Sequence, residues 1–315
     1  MFEKNIQKSW ENYQYDSGLG RIALVICTFN VFLFVLCLAL FSTPIYEIFL
    51  PIAISLGIIL YQEKISNYSC VCKFLILAIF VSSSIIIDYY FIGVVDRIAG
   101  GFRRYDTYFS LIDDFILGDQ SAKFFYDVFS GYGLFSTVLY DFLQISYMTY
   151  FLFPFLGGIF YFKQLNERNK YKISRYVGSI TILFILNYFF YLLVPVSGPQ
   201  YHDKLVQNLD LPLSIIGKLM NNLVFTSHPT FIDCFPSGHV GIAFLVTFWM
   251  FKIRNHYRYI FLIFFIGMFF ATLSLKYHYL FDVLVAIPFS YSCIYISYLL
   301  IPIDIEKRHN SKWRI

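Results

Sequence analysis

The chain has 315 residues and a formal net charge of +4; 58% of it is hydrophobic, 22% aromatic and only 14% charged. Its apolar runs repeatedly reach the roughly 20 residues that a helix needs to cross hydrocarbon, which excludes a soluble globular enzyme and indicates a polytopic membrane protein. The small positive excess is placed as membrane topology would place it, and nucleic-acid binding is set aside.

In chain order, the first twenty residues are polar and carry no cleavable signal pattern, so the first apolar run is expected to remain as a signal anchor. Eight segments are predicted as spanning helices: 22–41, 44–60, 73–95, 133–162, 175–195, 236–252, 257–275 and 279–302. The second is short and holds Pro44, Glu47 and Pro51, which also suits a re-entrant or tilted element. Between the third and fourth spans, Tyr105, Tyr108, Phe109, Ile112, Phe115 and Ile116 repeat at helical spacing. Opposite them fall Arg103, Arg104, Asp106, Asp113 and Asp114, and this helix is expected to lie flat in the headgroup layer. A shorter amphipathic piece, 122–129, follows a turn at Gly118-Asp119. No internal repeat or low-complexity tract is present.

Most of the 24 Lys and Arg residues fall on one side of this topology, led by Lys163, Arg168, Lys170, Lys172 and Arg175 in one loop. The positive-inside rule then places both termini in the cytoplasm and the 196–235 loop outside. The six cysteines lack the paired spacing of a disulfide or zinc framework and read as small packing residues. Asp88, Asp141, Gln144 and Asn187 fall in the outward halves of their spans, where polar groups must face the bundle interior. They either line a headgroup pocket or bond between helices.

Two motifs carry chemistry. His278 and Asp282 are four apart and share a helix face, so the carboxylate can hold one imidazole nitrogen and leave the other aimed as a nucleophile. An isolated pair of this kind also serves to tie two helices together. Pro236-Ser237-Gly238-His239 opens the apolar run from Val240. Free N–H groups at such a helix start favour an anion, Ser237 adds a hydroxyl, Gly238 permits close approach, and His239 can protonate a leaving oxygen. Both motifs fall on the outer side of the expected topology.

Phe235-Pro236-Ser237-Gly238-His239, followed by His278-Tyr279-Leu280-Phe281-Asp282, resembles the second and third signatures of the type 2 phosphatidic acid phosphatase (PAP2) superfamily. Tyr188–Tyr201, Arg104-Tyr105-Asp106 and Lys276-Tyr277-His278-Tyr279 are similar to its inositolphosphotransferase-like branch. The resemblance implies an all-α polytopic bundle with a six-helix PAP2-like core and an interfacial amphipathic helix. The expected division is residues 1–72 as tail and two extra membrane helices, 73–302 as the catalytic bundle, and 303–315 as a cytoplasmic tail. It also implies His278 as nucleophile, Asp282 as its orienting partner, His239 as acid, and Ser237 and Gly238 on phosphate oxygens.

Two elements of the family pattern are missing. The first-motif Lys and Arg-Pro are replaced by Ser197-Gly198-Pro199-Gln200, and the third-motif arginine by Thr272. Substitute cations are therefore expected, with Lys276 favoured and Lys204, Arg103, Arg104 or His202 able to approach; Gln200, Tyr201 and Asp141 complete the expected substrate pocket. The implied function is a lipid phosphatase or phosphotransferase working through a phosphohistidine on a membrane lipid phosphate or diphosphate, with water or an alcohol as acceptor. The alternative is an inactive lipid-binding or lipid-moving protein of the same fold. No cofactor or metal is expected, since the histidines and Asp282 already have roles.

Overall fold

A computed structural model describes residues 2–41, 49–61, 64–65, 68–98, 104–166, 172–226 and 231–301. Among these the chain is helical, and the one pairing of extended backbone is an isolated parallel bridge between Val196 and Asp233. The helices are α1 (Phe2–Phe41), α2 (Phe49–Leu60), α3 (Cys70–Ile98), α4 (Asp106–Leu117), α5 (Ser121–Phe129), α6 (Leu134–Met148) and α7 (Phe153–Gln164). They continue as α8 (Ile173–Leu193), short α9 (Pro199–His202) and α10 (Lys204–Gln207), α11 (Ile215–Thr226), α12 (Gly238–Lys252), α13 (Arg258–Ser274) and α14 (Leu280–Leu300).

All eight apolar segments are helical where described, but they differ in reach. Stretches of α1, α3, α8 and α14 are long and apolar enough to cross a membrane. The predicted span 133–162 is instead a broken one: α6 with its 3-10 extension and α7 meet at 65°. The break has a local cause, because Pro154 opens α7 and has no N–H to continue the preceding helix. The remaining three, α2, α12 and α13, run 12, 15 and 17 residues.

The bundle is centred on α12, which packs against α7, α8, α13 and α14. Its small residues allow this crowding: a Cβ on Gly241 would lie 2.8 Å from Ser290 Oγ of α14. Helix α8 forms the second hub, touching α1, α3, α7 and α14, and its Ser179 Oγ accepts from Trp249 Nε1 at 3.0 Å. One hydrophobic cluster runs from Leu19 to Ile301, so α1 shares the core of the rest. At the C-terminal end of α14, Arg21 donates to Leu300 O (2.8 Å) and Arg175 Nε to Ile301 O (3.0 Å), supplying cations where the helix leaves carbonyls unpaired.

Candidate active site

The histidine motif straddles the other end of α14: His278 precedes the N-cap residue Tyr279 and only Asp282 is helical, so the expectation that the two share a helix face is corrected. After α13 the chain doubles back through Lys276, which takes a left-handed φ of 71°, and both Tyr277 N and His278 N donate to Thr272 O at 3.0 and 2.9 Å. Thr272, which stands where the family arginine is expected, thus closes the turn that delivers His278. Asp282 lies in the first turn of α14, where its Oδ2 accepts from Tyr279 N at 3.1 Å. Ser237 caps α12 by accepting from Val240 N (3.4 Å), and its own N–H donates to Asp282 O (3.3 Å). The two motifs are therefore joined through backbone.

His278 is buried, with Nδ1 3.5 Å from Asp282 Oδ2. That separation is long for a hydrogen bond. Cys234 stands closer to both: its thiol donates to Asp282 Oδ2 at 2.7 Å and lies 3.2 Å from His278 Nδ1. Burial, reinforced by the Asp282 carboxylate, pushes that thiol well above its ordinary pKa, so it remains a protonated donor. The expectation that Cys234 is only a packing residue is thereby corrected. Its one sequence signal is its place two residues before Pro236. Cys234, His278 and Asp282 also offer three metal-type donor atoms within 4.8 Å of one another.

The His239 ring lies 6.0 Å from that of His278, at 63°. It is sandwiched between Tyr147 (4.1 Å, 17°) and Tyr150 (4.1 Å, 34°), neither of which the sequence singled out. A Cβ on Gly238 would lie 3.0 Å from Asn187 Nδ2 and 3.1 Å from Tyr191 OH, so polar groups crowd the start of α12.

A collar of buried carboxylates braces the His278 side. Asp106 accepts from Ser197 N (3.0 Å), Ser197 Oγ (3.1 Å), Gly198 N (2.9 Å) and Tyr279 OH (3.1 Å). Asp113 accepts from Leu280 N (2.9 Å) and Ser121 N (3.1 Å). Burial pushes the Asp113 carboxyl up to about 6, against the lowering effect of its bonds from Ser121 and Leu280. One part of the pattern expected for α4 is corrected: Phe109, placed opposite the acids, lies on their face. Asp106, Phe109 and Asp113 face inward together, while Tyr108, Leu111, Phe115 and Ile116 are exposed. The inward acids are stable because loop N–H groups that would otherwise be buried without partners converge on them. Phe109 completes the contact, packing on Phe235 (5.1 Å) and Phe281 (5.6 Å).

The structure brings Ser237, Gly238, His239, His278 and Asp282 together; the other expected residues lie further round. Lys276 Nζ donates to Leu209 O (2.6 Å) and Gln207 O (3.2 Å). Arg104 donates to Ser197 Oγ (3.1 Å) and to Phe231 O, and pairs with Asp96 at 3.6 Å. Gln200 N donates to Lys276 O (3.1 Å). Tyr201 packs edge-on against Phe231, and burial pushes its hydroxyl up to about 12. Asp141 accepts from Ser214 N (3.0 Å) near the start of α11, Asp88 accepts from Asn30 at 3.5 Å, and Gln144 Oε1 from Asn221 and Tyr277 at 3.4 Å. Arg103 lies outside the described residues.

Beside His239 opens a cavity of about 620 Å³, bounded by α3, α6, α7, α8, Leu223 and Val224 of α11, and the start of α12. Asp233 lies at its head and accepts from Tyr89 OH at 2.5 Å.

A family model described as the PAP2 superfamily matches residues 133–296, leaving α1 to α5 outside the match. A PA-phosphatase related-family protein of Dictyostelium discoideum is 23% identical over 188 residues, which is 53% of this chain and 33% of that protein. The chain thus matches about a third of that relative's length. No solved structure matches it.

Proposed function

The chain belongs to the PAP2 superfamily, and from that premise we propose that it is an integral-membrane enzyme cleaving the phosphoester or diphosphate bond of a lipid. His278 Nε2 attacks phosphorus, the bond from phosphorus to the lipid-side oxygen breaks, and protonated His239 gives its proton to that oxygen. Water, or an alcohol, then attacks the phosphohistidine, returning its proton to His239 and freeing His278. The acceptor decides between phosphatase and transferase: the likeness of Tyr188–Tyr201 to the inositolphosphotransferase-like branch favours transfer, and the likeness to a PA-phosphatase related-family protein favours hydrolysis.

The observation that carries this reading is the His239–His278 pair, 6.0 Å apart, with Cys234 and Asp282 on the Nδ1 side of His278. That leaves Nε2 as the nitrogen directed away from Asp282 and Cys234. The Lys276 ammonium caps loop carbonyls. The proposal therefore assigns phosphate oxygens to the N-terminus of α12, with Ser237, Gly238, Asn187 and Tyr191 around it. Arg104 approaches through Ser197. Orientation with both termini inside and the site outside is supported by Arg21 and Arg175, which sit at the end of α14 remote from His278.

Phosphate release from lipid monophosphates and diphosphates, by purified protein in detergent with and without an alcohol acceptor, tests the proposal. Loss of at least about a thousandfold in both His278→Ala and His239→Ala is expected, together with an acid-labile phosphoenzyme trapped only when His278 is present. Turnover that survives His278→Ala overturns the mechanism. Lipid binding without any turnover would favour an inactive lipid carrier.

A further inference from the structure

The cavity beside His239 is larger and deeper than a phosphoryl group requires. Along α3, Phe74, Ala78, Val81, Ile85 and Tyr89 all line it, at intervals of a helical face. From Phe74 to Tyr89 that face is roughly 22 Å long at ~1.5 Å per residue. One leaflet offers about half of the ~30 Å hydrocarbon core, so the cavity is deeper than a leaflet. The opposite wall exists because α6 and α7 part at their 65° break, with Tyr150, Pro154 and Gly158 turned toward the space.

The carboxylate and imidazole of the lining sit at one end, where Tyr89, Asp233, Gly238 and His239 meet, while the hydroxyls of Ser82 and Tyr176 further down donate to Ala78 O and Pro154 O. At the far end Phe74 and Tyr176 close the space: a Cβ on Gly158 would already lie 3.4 and 3.3 Å from their rings. There is also a side opening. Ile86 and Tyr90 of α3, and Phe151 and Phe155 at the break, line the cavity yet are 67%, 53%, 61% and 47% exposed. A polar end at a histidine, an apolar barrel, a closed floor and an apolar lateral slot together describe a container for one extended hydrocarbon chain.

We propose that this cavity is the tail site of the substrate, taking one long alkyl or prenyl chain sideways from the bilayer between α3 and the α6–α7 break, and that its floor measures chain length. This rests on reading the histidine pair as a lipid-phosphate site. The cavity lining includes His239 and omits His278. The tail therefore belongs to the leaving group, the half of the substrate whose oxygen His239 protonates, and the phosphoryl group lies between that oxygen and His278. Helix α3, outside the matched family region, supplies the measuring wall.

Two experiments separate failure of the tail site from failure of the catalytic reading. In the first, kcat/KM is measured for lipid phosphates with tails of eight and sixteen carbons, in wild type, Ala78→Phe and Ser82→Phe. The long-to-short ratio is expected to fall at least tenfold in both variants, as when about two methylenes are left outside the pocket. Ile79→Phe, on the exposed face of the same helix, keeps the wild-type ratio. A ratio unchanged in Ala78→Phe and Ser82→Phe overturns the proposal while leaving the histidine chemistry intact. In the second, a sixteen-carbon lipid phosphate with a terminal diazirine is photolysed on wild type and His278→Ala. Labels at Phe74, Ala78 or Tyr176 support the tail site even without turnover, whereas labels confined to Leu75 and Ile79 overturn it.

Discussion

The two sides of the histidine pair are built from opposite materials. On the His278 side, Asp106, Asp113 and Asp282 are buried among backbone N–H groups and a thiol. On the His239 side, tyrosines stack on the imidazole and a largely apolar cavity follows. Buried carboxylates are poor ligands for a phosphate but strong anchors for loops, because leaving their donors unpaired is costly. An apolar cavity anchors little but accepts hydrocarbon. The contrast assigns positioning to one side and substrate binding to the other, and each prediction below tests that division.

The largest effect is expected at Asp106. Asp106→Ala strips the acceptor from Ser197 N, Ser197 Oγ, Gly198 N and Tyr279 OH at once. At about 1–3 kcal/mol for each buried donor left unmet, partly relieved by water, the loss is roughly 3–5 kcal/mol. Thermal unfolding in detergent measures it, and a variant as stable as wild type breaks the idea that the collar is an anchor. Gly198→Ala attacks the same junction more gently. Its φ is 96°, and an added Cβ would lie 2.6 Å from Tyr277 O, one residue before His278. A cost of about 1–3 kcal/mol is expected, with reduced turnover as the His278 loop shifts.

The histidine pair and Asp282 were legible in the sequence because their spacing is local: His278 and Asp282 stand four apart across the start of α14, and His239 is two residues past the Ser237 cap. The burial of the acidic face of α4 was not. Helical periodicity reports which residues share a face, but not whether that face meets lipid or a set of otherwise unpaired N–H groups contributed by Ser121, Ser197, Gly198 and Leu280. Cys234 was missed for a related reason: its partners lie 44 and 48 residues away, and nothing about an isolated cysteine announces them. The broken span had a visible signal in Pro154, read through because the apolar run around it is continuous.

A mid-sized effect tests whether Cys234 positions the His278–Asp282 pair. Removing the thiol in Cys234→Ala leaves Asp282 Oδ2 with Tyr279 N and the more distant His278 Nδ1. Turnover is expected to fall about tenfold at unchanged KM, the signature of a contact that matters chiefly in the transition state. Cys234→Ser, which keeps a donor, recovers part of the loss. A purely packing role predicts the reverse order, because serine is the more costly replacement in an apolar site.

The smallest effect belongs to Asp113, and it is one of pH. Its carboxyl is held near 6 in the folded protein, above the ordinary 3.8, chiefly by burial. The folded state therefore binds a proton that the unfolded state does not through this interval, and stability gained from it rises as pH falls from about 6 toward 3.8. Above pH 6 the buried charge is carried at a cost, offset by Leu280 N and Ser121 N. Asp113→Asn removes the titration while keeping one acceptor. Melting temperatures of wild type and variant should converge toward or past one another between pH 7.5 and 5 in the sense that wild type gains relative to Asn as pH falls. A difference between them that is flat across that range would mean that the collar side carries no charge penalty, and would remove the electrostatic half of the contrast between the two sides.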